Sequence, residues 1–164
     1  MGGIGFSLHL NESHSFEFDV GVGLCTNTKV ELVGIWALLL TTQMMGIPSL
    51  KVFGDSSVII NWVKGKSTLS PPELHYWCRE TRKLCTHFLA LSFNHIYREH
   101  NQQADRLSKV ALTLAPGSST YSEFLDGHLT ISTVNIINKL TVSLKLLSLW
   151  FRVLAHTMNF LRVN

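Results

Sequence analysis

The stretch Ser49–Gly65, SLKVFGDSSVIINWVKG, decides how this chain is read. Leu50, Val52 and Phe53 form a short apolar run that ends at Gly54 and Asp55. Val58, Ile59, Trp62 and Val63 then fall at helical spacing, with Gly65 as a stop signal. The pattern predicts a strand over about 50–54 handing over at once to a helix over about 56–64. A carboxylate at such a junction has an ordinary use, since it can accept hydrogen bonds from the unpaired N–H groups of the first helical turn. It also has a chemical use, because open α/β sheets carry their chemistry just past the carboxyl ends of their strands.

Working outward, Ile4, Phe6, Leu8 and Leu10 alternate with small or polar residues, and Phe16, Phe18, Val20 and Val22 alternate with Glu17, Asp19 and Gly21. These read as two half-buried strands joined by a turn over 11–14. A helix follows through Leu32, Ile35, Trp36, Leu39 and Gln43, closing at Gly46 with Pro48 beyond. Downstream, a helix entered through Pro71 and Pro72 runs to about residue 90, residues 91–98 read as a strand, and Asn101 opens a further helix. Two strands followed by alternating helices and strands predict a mixed α/β sheet flanked by helices over residues 1–115.

Residues 116–128 read as a linker, with Asp126-Gly127 as an ordinary turn. Residues 129–164 read as a basic amphipathic helical tail, in which Ile137, Leu140, Leu144, Leu147, Phe151, Leu154, Met158 and Leu161 repeat at steps of three and four. Such a face is expected to pack on the chain's own domain or on a protein partner. The tail's charged residues are Lys139, Lys145, Arg152 and Arg162, with no acid after Asp126.

The 164 residues are 46% hydrophobic and 15% charged, enough for a buried core and too apolar for a disordered chain. A net charge of +3 is compatible with a polyanionic partner without demanding one. Cys25, Cys78 and Cys85 are odd in number and scattered, which argues against a disulfide framework. The opening MGGIGFSLHL lacks a basic leader, so no signal peptide and an intracellular location are expected. No apolar run suggests an integral membrane segment. His75, Cys78, Cys85 and His87 lack the compact spacing of a zinc knuckle, and two core cysteines explain the letters better. Trp62 and Trp77 fit helical core spacing.

Three carboxylates occupy matching places: Glu31 in the first turn of the first helix, Asp55 at the strand end, and Asp105 near the start of the last helix. Singly, each has a structural reading, including a capping box from Thr28 to Glu31 and a favourable dipole position for Asp105. Together with their flanks, TNTKVELVGIWALLL, LKVFGDSSVIINWVKG and FNHIYREHNQQADRLSKVA, they resemble the ribonuclease H-like superfamily over about residues 3–114. The likeness is to the reverse-transcriptase-like, ribonuclease H type-1 domain abundant in plant genomes.

That resemblance implies Mg²⁺-dependent endonucleolytic cleavage of the RNA strand of an RNA–DNA hybrid. Glu31, Asp55 and Asp105 would be catalytic residues and ligands to two Mg²⁺ ions. Asn27, Lys64, Lys66, Arg98, Asn101 and Arg106 would contact nucleic acid, with Arg79, Arg82 and Lys83 as further basic candidates and His100 a possible accessory group. The family also carries a first strand, central in its sheet and bearing another Asp, ahead of the glycine-rich strand with which this sequence opens. The expectation is therefore a fold truncated at its N-terminus with impaired catalysis. The alternative is an inactive nucleic-acid-binding or protein-binding remnant of a plant retroelement-derived gene.

Overall fold

The structure, a computed structural model, describes residues 1–135. The helical-tail expectation from residue 136 onward lies outside the described residues. Strands β1 (Gly2–His9) and β2 (His14–Gly23) form an antiparallel hairpin that pairs Ile4 with Val20, Phe6 with Phe18 and Leu8 with Phe16. These six are buried, and the Phe6 and Phe18 rings stack with centroids 4.7 Å apart. The alternation read in the sequence is thus the core-facing register of the hairpin.

Helix α1 (Asn27–Met44) is capped by Thr26, whose hydroxyl accepts from the Lys29 amide at 3.4 Å. The cap lies two residues before the Thr28 of the expected capping box, and the Glu31 side chain is turned elsewhere. The chain continues through β3 (Ser49–Gly54), α2 (Ser57–Val63), a 3₁₀ turn at Pro72–Leu74, α3 (His75–Cys85) and β4 (Ala90–His95). A 3₁₀ turn at Arg98–His100 then leads into α4 (Gln102–Ala111). Trp36 of α1 and Trp77 of α3 meet edge to face at 4.9 Å, and Trp62 and Trp77 are both buried, as core residues rather than surfaces for stacking bases. Helix α3 stops at Cys85, short of the expected 90, because the amides of Leu89 and Ala90 turn to the Pro48 carbonyl where β4 begins beside β3.

Residues 118–128 depart from the linker reading, and residues 129–135, expected to begin the helical tail, are extended instead. Strands β5 (Ser118–Leu125) and β6 (His128–Asn135) form a hairpin closed by Asp126 (φ 49°) and Gly127 (φ 79°). Positive φ at both turn residues is what a two-residue Asp-Gly hairpin requires. β5 adds to β2, burying Ser119 and Tyr121, while His14 meets Glu123 across the pair at 2.7 Å. Alternation hidden among Ser and Thr, with Tyr121 as the one large buried side chain of β5, explains why that strand reads as a linker from sequence.

The strands form two sheets: an antiparallel sheet in the order β1-β2-β5-β6, and a parallel pair β3-β4. α4 covers the first sheet so closely that a Cβ on Gly3 would lie 2.4 Å from the Ser108 carbonyl oxygen, and one on Gly5 2.2 Å from the Ser108 amide nitrogen. The glycine-rich opening of the sequence is thus the price of bringing helix backbone onto strand backbone. α1 lies on the opposite face of β1, against Gly2 through Val30 and against Ile4 through Gly34. Between the free edges of β1 and β3, with α1 on one side and α4 on the other, runs a trough of about 1290 Å³. The single mixed sheet expected from the sequence is open along this line.

Candidate functional site

One end of the trough collects the residues that the motifs single out. Asp55 follows directly on β3, and Ser56, rather than Asp55, caps α2, its hydroxyl lying 3.5 Å from the Ile59 amide. The same Ser56 hydroxyl donates to Glu31 Oε2 at 2.7 Å, tying the start of α1 to the start of α2. With the cap role taken, the Asp55 carboxylate is free to face the trough, where its Oδ1 accepts from Asn101 Nδ2 at 2.9 Å. His95 Nε2 stands 3.3 Å from the Asp55 carbonyl oxygen.

Asp105, in the first turn of α4, is held by two cations. Lys109, one turn further along the helix, reaches its Oδ2 at 2.6 Å, and Arg98 reaches Oδ1 through Nη2 at 2.5 Å and through Nε at 3.2 Å. Hydrogen bonds from Lys109 first and Arg98 second hold the Asp105 carboxyl below the usual carboxylate range. This end of the trough therefore carries carboxylates at Glu31, Asp55 and Asp105, amides at Asn27 and Asn101, and cations at Arg98 and Lys109.

The structure does not bring Lys64, Lys66 or Arg106 to the trough lining. Lys64 and Lys66 are exposed beyond α2. Arg106 turns to the other side of α4, where Nη2 lies 2.8 and 2.9 Å from the two carboxylate oxygens of Glu17. His100 lines the trough, is exposed, and has Glu99 3.6 Å away. The half-buried Cys78 and Cys85 thiols titrate above their ordinary value because of burial, as core cysteines do. Among the described residues no three His, Cys, Asp or Glu side chains converge to hold a metal ion, the α3 His/Cys set included. No described helix is long and apolar enough to cross a membrane.

Ser56 and Lys109 were missed by sequence reasoning. Lys109 had a signal, the spacing of four from Asp105. Ser56 had none beyond its place after Asp55, since its contact with Glu31 joins residues 25 apart in the chain.

A mixed α/β core flanked by helices, with carboxylates gathered at the ends of β3, α1 and α4, defines a ribonuclease H-like domain. The solved structures it resembles agree on the fold. They include the N-terminal ribonuclease H domain of a Mycobacterium tuberculosis protein, at TM-score 0.55 and 20% identity over 67% of this chain and 91% of that one. Ribonuclease H1 of Halobacterium salinarum matches at TM-score 0.55 and 22% identity, over 67% and 95%. A ribonuclease H1 designated LC11, solved with an RNA/DNA hybrid, matches at 0.54 and 21%, over 67% and 93%. Residues 20–111 match the family described as reverse transcriptase-like, and the chain belongs to that family. An Arabidopsis thaliana protein provisionally named a ribonuclease H protein is 30% identical over 108 residues, which is 63% of this chain. The chain's match spans 17% of that relative's length.

Proposed function

We propose that this chain binds RNA–DNA hybrid at the carboxylate end of the trough and cleaves it poorly in the arrangement described. The observation that carries the reading is the gathering of Glu31, Asp55 and Asp105 with Asn27, Asn101, Arg98 and Lys109 at one end of a single trough. Arg98 and Lys109 can exchange Asp105 for phosphate oxygens, and the Asn27 and Asn101 amides can donate to sugar and phosphate. Contacts of this kind position a duplex without reading its sequence.

Poor cleavage follows from how the carboxylates are engaged. The resemblance implies Mg²⁺, whose oxygen-rich shell suits carboxylates. Here Asp105 is paired with two cations, Asp55 accepts a hydrogen bond from an amide and Glu31 one from a hydroxyl, and no three such groups converge among the described residues. The residues as arranged do not fit two Mg²⁺ ions, and no step is derived through them.

The test uses a labelled hybrid. Affinity is expected to persist in EDTA and to fall steeply with salt, and cleavage with added Mg²⁺ should not exceed that of the Asp55→Asn variant measured beside it. No binding at low salt overturns the reading as a whole. Cleavage that is strong and lost in Asp55→Asn overturns the impairment and restores Glu31, Asp55 and Asp105 as a working catalytic set.

A further inference from the structure

The β5–β6 hairpin turns an apolar surface away from the main core. Residues paired across antiparallel strands share a face of the sheet, and successive residues alternate between faces. On β2, Phe16, Phe18 and Val20 face the core, while Ser15, Glu17 and Asp19 face the side of α4, which reaches Glu17 through Gln103 and Arg106. Ser15 pairs with Phe124 and Phe124 with Leu129, and Ser122 with Ile131 is the next pair on the same side. Phe124, Leu129 and Ile131 therefore lie on the α4 face. Phe124 is half-buried, and Leu129 and Ile131 are 53% and 60% exposed. Their neighbours on the core side of β6, His128 and Thr130, are polar.

The space over these residues has the width of one helix. α4 packs on β1 and β2. Strands lie about 4.8 Å apart and packed helices about 8–10 Å apart, so a helix beside α4 would lie over β5 and β6. β6 ends at Asn135 opposite Ser118, at the end of the sheet toward which α4 runs. A helix starting there and turning back along the sheet would be antiparallel to α4.

The sequence that follows has the matching pattern. Ile137, Leu140, Leu144, Leu147, Phe151 and Leu154 repeat at steps of three and four, which makes one apolar stripe in helical form. Residues 137–154 as a helix would span about 27 Å, the length of the eight extended residues of β6 at about 3.4 Å each. The charges are complementary as well. β2, β5, β6 and their turns hold Glu12, Glu17, Asp19, Glu123 and Asp126 and no Lys or Arg, whereas Lys139, Lys145 and Arg152 flank the stripe with no acid among them.

We propose that residues 137–154 of this chain form a helix that docks on the α4 face of the β5–β6 hairpin, with its apolar stripe against Phe124, Leu129 and Ile131. That face of the sheet is then covered by two antiparallel helices, α4 over β1 and β2 and this one over β5 and β6. The chain's own segment is favoured over a second copy because it is tethered beside the patch, at an effective concentration of roughly millimolar. The proposal does not depend on hybrid binding at the trough.

Limited trypsin digestion of the full chain, read by mass spectrometry, tests it, since Lys139, Lys145 and Arg152 are cleavage sites within the proposed helix. Cleavage at all three should be at least tenfold slower than in a synthetic peptide of residues 136–164. Ile131→Asp and, separately, Leu129→Ser should remove most of that protection, and Thr130→Asp, one step along β6 and on the other face, should keep it. Urea midpoints of the variants identify any that fail to fold, and the unaltered chain is also digested across a dilution series. Cleavage as fast as in the peptide overturns the proposal, as does protection that survives in both patch variants or is lost equally in Thr130→Asp. Protection that fades on dilution also overturns it and assigns the face to a second copy.

Discussion

Helix α4 carries an ion-pair set on each of its two sides, and the sets obey different physics. On the trough side Asp105, Arg98 and Lys109 meet where the two cations are 73% and 65% exposed. On the sheet side Arg106 and Gln103 reach down to Glu17 on β2, whose side chain is 11% exposed, beside the buried Asp19. Each set pairs a carboxylate with an arginine. The trough-side set can be broken and re-formed around a ligand at little cost to the fold, whereas the sheet-side set answers charges that folding has already removed from water. Placing both on one helix keeps the exposed set apart from the one built into the fold.

The largest expected effect probes the contact that seats α4 on the sheet. Gly5→Ala forces a Cβ onto the α4 backbone and should lower stability by about 3 kcal/mol, read as a fall in the urea midpoint. Gly46→Ala, where nothing lies within 4 Å, isolates the strain of positive φ from that clash and should cost about 1 kcal/mol. Next, Arg106→Ala leaves Glu17 low in the interface without its cation and should cost about 2 kcal/mol, a value reduced because Arg106 is itself 59% exposed.

Asp19 provides a pH test of the same side. Burial first, and the Glu17 charge second, push its carboxyl up to about 6 from 3.8, against a smaller opposing pull from Arg106. A raised folded value means the protonated form is favoured on folding, so Asp19's contribution is fully present below pH 3.8 and is lost as pH rises to about 6. Asp19→Asn should therefore stabilise the protein at pH 7.5 by about 1–2 kcal/mol, with an advantage that shrinks toward pH 4 in denaturant melts. An advantage independent of pH would place the cost elsewhere. The smallest effect belongs to the trough side: Lys109→Ala should leave the unfolding midpoint unchanged while the Asp105 carboxyl, titrated by NMR, moves up toward its ordinary value. A large loss of stability there would erase the distinction between the two sides.

Much of this was legible from the chain alone, and the reason differs by element. The β1–β2 hairpin and the β3–α2 junction were legible because their alternation and spacing are local. Glu31, Asp55 and Asp105 could be named because each sits at an element boundary with a distinctive flank. Arg106 was assigned to the wrong side of α4, since its neighbour Asp105 belongs to the trough and a single step along a helix turns a side chain by about 100°. The β5–β6 hairpin was hidden by the weak hydrophobicity of its Ser and Thr residues, although its Asp-Gly turn was visible.

By itself the sequence determined the order of strands and helices as far as α4, the alternation that fills the core, and the kinds of group available at the carboxylate end, because all of these follow from local periodicity and side-chain chemistry. Only the tertiary structure decided that Ser56 and not Asp55 caps α2, that the cations of α4 divide between trough and sheet, and that β1 and β3 stand apart with their edges facing. Those outcomes depend on which distant backbones approach one another, and a contact between residues far apart in the chain leaves no period in the sequence.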